Sequence, residues 1–350
     1  MGDILHALPA VTALRQAHPG WVIDWVVEPR WRALLAVGQT SEKLTISSEI
    51  GEKRPSGAKQ PVVNRIHLAA TRDWRKSLLS RNTLHEIRAL RQALKASNYD
   101  AVLDLQGAIR SAVVGRMAGC RRVVGEAQPR ERTARWLFTE RVETHGAHVV
   151  EQDLELASSI AGDDLKPVTP WLPVDSTAEA WVDRILPREA SQPSVLINPG
   201  AGWGAKRWPV ERYAAVAQGL IDRGMRVLVN AGPSEEPLAE IIVQAARGAT
   251  SLTCTLEQLI ALTRRVTLAI AGDTGPLHLA CALERPVVGI YGPTDPGRNG
   301  PFGTRFQVLR SPESRRDHTR HAAPEAGLLT ILPEDVLRAA DELLAQGSPA

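Results

Sequence analysis

The stretch VTLAIAGDTGPLHLACAL (266–283) constrains the fold most. A short apolar run ends at Ala271, the turn Gly272-Asp273-Thr274-Gly275 follows, and Pro276 stands where a helix tolerates proline, in its first turn. Strand, glycine turn and helix in that order make half of a βαβ unit, whose strands pair in parallel. The alternation recurs. SVLINPGAG (194–202) reads as a strand entering a glycine-rich turn, and PVERYAAVAQGLIDRG (209–224) as a helix with Gly224 as its C-terminal stop. MRVLVNAGPSEE (225–236) reads as strand and loop, LEQLIALTRR (256–265) as a helix and RPVVGIYGPTDP (285–296) as strand and loop. LPEDVLRAADELLAQ (332–346) is a closing helix.

The first half alternates too. Helical spacing of apolar residues opens the chain, then WVIDWVVE (21–28) reads as a strand, 83–96 as an amphipathic helix, 99–107 as a strand, 111–119 as a helix and 121–126 as a strand. Residues 40–61 lack periodicity and read as a loop. Five prolines (Pro167, Pro170, Pro173, Pro187 and Pro193) mark a boundary at 166–193. The expectation is an α/β protein of two doubly wound, Rossmann-like domains, 1–165 and 194–350, joined by that linker and facing a cleft. Ligands in such sheets bind beyond the carboxyl ends of the strands.

Composition excludes several classes. No run of about 18 apolar residues is present, so no transmembrane helix is expected. The start lacks a basic n-region, and His6 stands where a myristoylation signal needs Ser or Thr. Three widely spaced cysteines, Cys120, Cys254 and Cys281, point to a reducing compartment with neither a disulfide framework nor a zinc cluster. A net charge of +3 is no nucleic-acid signature. Arginines nevertheless crowd the first half, at 72–81, 110–122 and 130–135, which suggests an anionic partner there.

Four turns carry candidate chemistry. At 272–278 a helix N-terminus offers backbone N–H groups to a phosphate, Asp273 suits sugar hydroxyls, and His278 donates to the same anion. The plain alternative is that Asp273 or Thr274 caps the helix and His278 packs on it. INPGAGWGAKRWP (197–209) keeps side chains away from a ligand and follows with Lys206, suiting a diphosphate; a solvated Lys-Arg loop is the alternative. In NAGPSEEP (230–237), Glu235 either accepts from a ribose hydroxyl or is an ordinary first-turn acid. None of these is a G-x-G-x-x-G fingerprint or a P-loop. The fourth turn is the opening Met-Gly-Asp, where Asp3 is either an N-cap or a base that takes a proton from an acceptor hydroxyl.

Together MGDILHALPA, DWVVE, TRDWRK, NYDAVLDLQG, AHVVEQ, KRWP and GDTGPLHLACALERPVVGIYGPTDP resemble the lipopolysaccharide heptosyltransferases of glycosyltransferase family 9. These are GT-B enzymes, and the resemblance is closest to the heptosyltransferase I subfamily. It spans nearly the whole chain. It implies inverting transfer of heptose from ADP-L-glycero-β-D-manno-heptose to Kdo of the inner core, on Kdo2-lipid A or a similar anionic lipid-linked acceptor. It implies Asp3 as general base and Lys206 as the lysine on the donor phosphates. Gly202, Glu235, Cys254, Asp273, Thr274, Gly275 and His278 are implied around the donor, and His6, Arg72, Arg75, Lys76 and Arg130 around the acceptor. No cofactor, metal or nucleic acid is implied, and the expected place is the cytoplasmic face of the inner membrane, held peripherally. Three departures stand out: Asp73 inside the basic TRDWRK cluster, a long 40–61 loop, and 312–325, which matches no family motif.

Other readings stay open. One is a family relative using another nucleotide sugar or a later core acceptor. Another is a nucleotide-sugar epimerase on the same scaffold, and a third is a non-catalytic binder of sugar nucleotides. Family members carry roughly ten residues before the Met-Gly-Asp turn, reading as a buried central strand. The expectation is that this first strand is missing from the N-terminal sheet and that the natural start lies upstream.

Overall fold

The computed structural model describes residues 1–37, 61–188, 192–232, 235–314 and 323–346. The expected 40–61 loop, apart from Pro61, and residues 315–322 of the 312–325 segment lie outside these residues. The chain divides into two compact units, Asp3–Pro173 and Val174–Ala350. The division falls inside the proline-rich span.

The first unit holds α1 (Gly2–Ala17), β1 (Asp24–Val27), β2 (Arg65–Leu68), α2 (Thr71–Trp74), α3 (Arg81–Ala96), β3 (Val102–Asp104), α4 (Ile109–Met117), β4 (Val123–Glu126), β5 (Glu140–Val142) and α5 (Val149–Ala161). Helix α3 starts where the Ser80 hydroxyl accepts from the Thr83 N–H, and it buries Thr83, Leu90 and Leu94. Helix α5 opens on a reciprocal cap, with Val150 N–H donating to His148 and His148 N–H donating to Glu151. It ends at Gly162, whose φ of 76° is left-handed. All strand pairs are parallel, but they fall into two groups, β1-β2 and β3-β4-β5. Among the described residues no strand lies between β1 and β3. A cavity of about 1030 Å³ is there instead, lined by Trp25, Val26 and Val27, by Val102 and Leu103, and by Ile4, Ala7, Val11 and Leu14 of α1.

The second unit holds α6 (Ser176–Ile185), β6 (Ser194–Asn198), α7 (Val210–Asp222), β7 (Arg226–Asn230), α8 (Glu236–Ala245), β8 (Thr250–Leu252), α9 (Leu256–Arg265), β9 (Leu268–Gly272), α10 (Gly275–Ala282), β10 (Val287–Tyr291), α11 (Pro296–Asn299), β11 (Phe306–Arg310) and α12 (Pro333–Ala345). Its six strands are parallel in the order β11-β10-β9-β6-β7-β8. In order of appearance that is the 3-2-1-4-5-6 doubly wound arrangement, with its switch point between β6 and β9. Central strands read as unbroken apolar runs because helices cover both faces. Val195, Ile197, Val227, Val229, Ile270 and Ile290 pack with residues of α7, α8 and α12. Ala269, Ala271 and Tyr291 pack with Leu277, Ala280 and Cys281 of α10. Gly224 takes φ 76° just past the end of α7, as its sequence position suggests.

Several elements go beyond the sequence reading. Helix α6 lies within the proline-rich span because Pro173 and Pro187 bracket it without interrupting it, and Asp175 caps it by accepting from Ala178 N–H at 2.9 Å. Arg264 and Arg265 of α9 pair with its Glu179 and, at 2.6 Å, its Asp183. Helix α8 tolerates Pro237 because proline in a first turn removes an N–H that has no helical partner.

One buried cation fastens α1. Arg15 is 7% exposed, and its guanidinium donates to the carbonyls of Val62 (3.3 Å), Pro19 (3.1 Å) and Trp21 (2.7 Å) and to the Asn64 side chain. Replacing it strands those acceptors. Arg15→Met keeps the stem and removes the donors, and should cost about 3 kcal/mol in urea unfolding. A loss below about 0.5 kcal/mol would show that α1 is held by its apolar face alone.

Candidate active site

In the second unit the turns after β6 and β9 lie beside each other at the switch point. The first ends in a short 3-10 turn, Gly204–Lys206; the second supplies Asp273. Lys206 Nζ pairs with Asp273 Oδ2, and His278 Nε2 lies 3.3 Å from Oδ1. The three side chains are only 10%, 9% and 6% exposed. The Lys206 ammonium also sits 4.2 Å from the Trp203 ring centroid. Burial pushes the Asp273 carboxyl up, but the His278 hydrogen bond and the Lys206 and His278 charges outweigh it. The net effect holds Asp273 well below the usual carboxylate range, so it is ionised at neutral pH. Neutralised by Lys206, it does not present a bare negative charge to an incoming phosphate.

The capping alternative is not what the structure shows. Thr274 occupies the N-cap position of α10, but its hydroxyl donates to Gly272 O at 3.2 Å and caps nothing, while Asp273 is engaged as above. Helix α10, beginning Gly275-Pro276, thus has no side-chain cap hydrogen bond at its N-terminus, the arrangement that suits an anion.

Glu235 is the N-cap residue of α8 rather than a first-turn acid; Glu236 takes the latter place. Gly232 N–H donates to its carboxylate at 3.2 Å. A Cβ on Gly200 would stand 2.1 Å from Glu235 Oε2, so Gly200 is the glycine that lets the two turns meet. Gly202, named from the sequence, faces open space. Cys254 is half-buried between β8 and α9, and burial pushes its thiol up to about 12. A feature the sequence reading missed lies at the carboxyl ends of β6 and β7: the buried Asn230 amide donates to the Asn198 side chain at 2.9 Å. The signal was there, an asparagine closing each of two apolar strands.

In the first unit Asp3 lies inside the first turn of α1; the N-cap position falls to Met1, with no side-chain cap. The Asp3 carboxylate instead receives Gln106 Nε2 at 2.7 Å and lies 3.8 Å from Arg130 Nη1. Its side chain is 50% exposed and open to a substrate. His6 meets the His148 ring edge-on at 5.7 Å. Arg72 and Arg75 are exposed on and just after α2, and the Arg72 N–H donates to Glu28 at 3.2 Å. Asp73, the odd member of TRDWRK, takes Lys76 at 2.8 Å, so this cation is already partnered. Arg30, which the sequence reading did not name, lines the same cavity as Asp3, Gln106, Arg72 and Arg110. Burial, then the charges of Arg72 and Arg110, hold its guanidinium below the ordinary arginine value, a sign of crowded cations. Among the described residues no group of three or more His, Cys, Asp or Glu side chains is placed to hold a metal ion.

Two parallel α/β units, with an anion-type helix N-terminus on the second, make this a glycosyltransferase fold of the GT-B class, and comparison with known proteins agrees. The chain belongs to glycosyltransferase family 9 (heptosyltransferase), whose model matches residues 87–328. It is 32% identical to lipopolysaccharide heptosyltransferase 1 of Escherichia coli strain K12 over 323 residues, covering 89% of this chain and 91% of that protein. Its structure is similar to E. coli heptosyltransferase WaaC with ADP, at a TM-score of 0.76 and 28% identity, over 98% of this chain and 97% of the other. WaaC with ADP-2-deoxy-2-fluoro heptose gives 0.73 and 27%, over 99% and 97%.

The Asp273 arrangement has a pH signature. A carboxyl depressed in the folded state stabilises fully above its unfolded value, about pH 4, and its contribution is lost as pH falls below that. Asp273→Asn should therefore be less stable than wild type at pH 7, and the gap should narrow by about 1.4 kcal/mol per pH unit below pH 4. Urea midpoints at pH 5, 4 and 3 check this; a gap independent of pH would mean that Asp273 is not held ionised.

Proposed function

We propose that this chain transfers a heptose from ADP-L-glycero-β-D-manno-heptose to Kdo of the lipopolysaccharide inner core, with inversion. The observation that carries the reading is the buried Lys206–Asp273–His278 cluster beside the uncapped N-terminus of α10. It offers a nucleoside diphosphate a lysine ammonium held in place by Asp273 and a set of helix N–H groups. Membership of family 9 and similarity to a transferase captured with ADP and with a fluorinated ADP-heptose support the choice of donor.

The chemistry follows from what each unit supplies. Asp3 takes the proton of an acceptor hydroxyl, and that oxygen attacks the anomeric carbon as the bond to the diphosphate breaks. The leaving electron pair goes to ADP, whose developing charge is met by Lys206 and α10. One displacement inverts the anomeric centre and needs only one base. The acceptor is polyanionic, Kdo2-lipid A or a similar lipid-linked glycan. Arg30, Arg72, Arg75, Arg110 and Arg130 supply cations for its carboxylates and phosphates. The same basic first unit would hold the protein peripherally at the cytoplasmic face of the inner membrane. Among the described residues no helix is long and apolar enough to cross a membrane.

Purified protein given ADP-heptose and a Kdo-bearing lipid acceptor should release ADP. Donor conversion without acceptor would instead indicate an epimerase, and donor binding without turnover a binder. Asp3→Asn should lower kcat by roughly 10²- to 10⁴-fold while calorimetric ADP affinity stays unchanged; near-normal turnover would remove Asp3 from the base role.

Lys206→Ala leaves Asp273 buried beside fewer cations, so it is compared with Lys206→Ala/Asp273→Asn, which removes both charges. Both should fall in kcat/KM by about 10²-fold or more. Recovery of wild-type kcat/KM in the double variant would assign Lys206 to stability alone.

A further inference from the structure

We propose that Gln106 is the positioning residue for Asp3, orienting its carboxylate so that one oxygen is held and the other meets the acceptor hydroxyl. This rests on the reading of Asp3 as the base.

The orientation of the Gln106 amide is settled by its neighbour. Arg110 Nε lies 3.4 Å from Oε1, and a guanidinium only donates, so the oxygen faces Arg110 and the NH₂ faces Asp3. The NH₂ donates to Asp3 Oδ2 at 2.7 Å, and Arg130 Nη1 approaches the same oxygen at 3.8 Å. Among the described residues no side-chain hydrogen bond or ion pair reaches Oδ1. A carboxylate with one oxygen held presents the lone pairs of the other in a fixed direction, which a freely rotating exposed side chain does not.

Gln106 is itself built into place. Asp104, 6% exposed at the end of β3, accepts from Gln106 N–H and Gly107 N–H, both at 2.9 Å, and from the Ser111 hydroxyl at 3.1 Å. One buried oxygen thus shapes the whole β3–α4 turn. Gly107 has φ 63°, and a Cβ there would stand 3.0 Å from Arg130 N. Its carbonyl accepts from Glu131 N–H at 2.9 Å. Both partners of Asp3, Gln106 and Arg130, therefore come from one hydrogen-bonded junction.

Two variants test this, each checked for an unchanged melting temperature and ADP affinity. Gln106→Met keeps the length and loses the donor; kcat should fall about 10-fold or more with donor KM unchanged. In the Asp3→Asn background the same change should add no further loss, because the base that Gln106 orients is already gone. Gln106→Glu sets a second carboxylate against Asp3, so the acidic limb of the kcat–pH profile should move to higher pH by at least about half a unit. That shift reports that the side chain faces Asp3, and the loss in Gln106→Met that is absent in the Asp3→Asn background reports that it positions that carboxylate. If Asp3→Asn is inactive but Gln106→Met keeps wild-type kcat, the positioning role is overturned and the base reading stands. If Asp3→Asn turns over normally, the base reading itself has failed.

Discussion

The second unit is organised around a buried ion pair at the point where its strand order reverses. Lys206 and Asp273 arrive from β6 and β9, neighbours in the sheet whose following helices depart to opposite faces. Taking two charges out of water costs several kcal/mol each unless geometry and further hydrogen bonds offset it. Here His278 and the Trp203 ring supply additional partners. Such a pair is costly as a purely structural element, and beside an uncapped helix N-terminus it is the kind of site that preorganisation for an anion would account for. Gly200 and Gly232, backed by Glu235, keep the neighbouring turns close without filling the space above them.

The first unit solves a different problem with similar means. Its Asp3 carboxylate is half-exposed, so nothing in the core fixes it directly. Precision comes from Asp104, a buried acid one strand away whose single oxygen gathers three donors. Burial raises the Asp104 carboxyl above the usual range even so, which marks the turn as a place where the fold spends stability to hold a loop in shape. Arg30, Arg72 and Arg110 crowd along one cavity, which is also unfavourable, and a bound polyanion would relieve it.

Much of this was legible in the sequence. Strand–turn–helix periodicity announced parallel α/β units, and the turns at 197–209 and 272–278 were visible because glycine, proline and lone charged residues interrupt apolar runs there. What was not legible depended on long-range contacts. Nothing local reveals that Asp273 is neutralised by a lysine 67 residues away, or that Gln106 reaches back 103 residues to Asp3. Helix α6 was hidden because proline density signals a break without saying which residues lie between the prolines. The pairing of Lys76 with Asp73 was implicit in their spacing, since residues three apart share a helical face.

The cavity between β1 and β3 has a consequence for cooperativity. In the second unit six strands form one continuous ladder with apolar clusters on both faces, so loosening one strand exposes its neighbours' edges as well. Among the described residues of the first unit the ladder is in two parts, with smaller apolar clusters around Trp74 and Phe138. Local opening is expected first where the apolar clusters are small. Opening there would release the Asp104 turn that carries Gln106, and with it the setting of Asp3, while the ladder around Lys206 and Asp273 still stands.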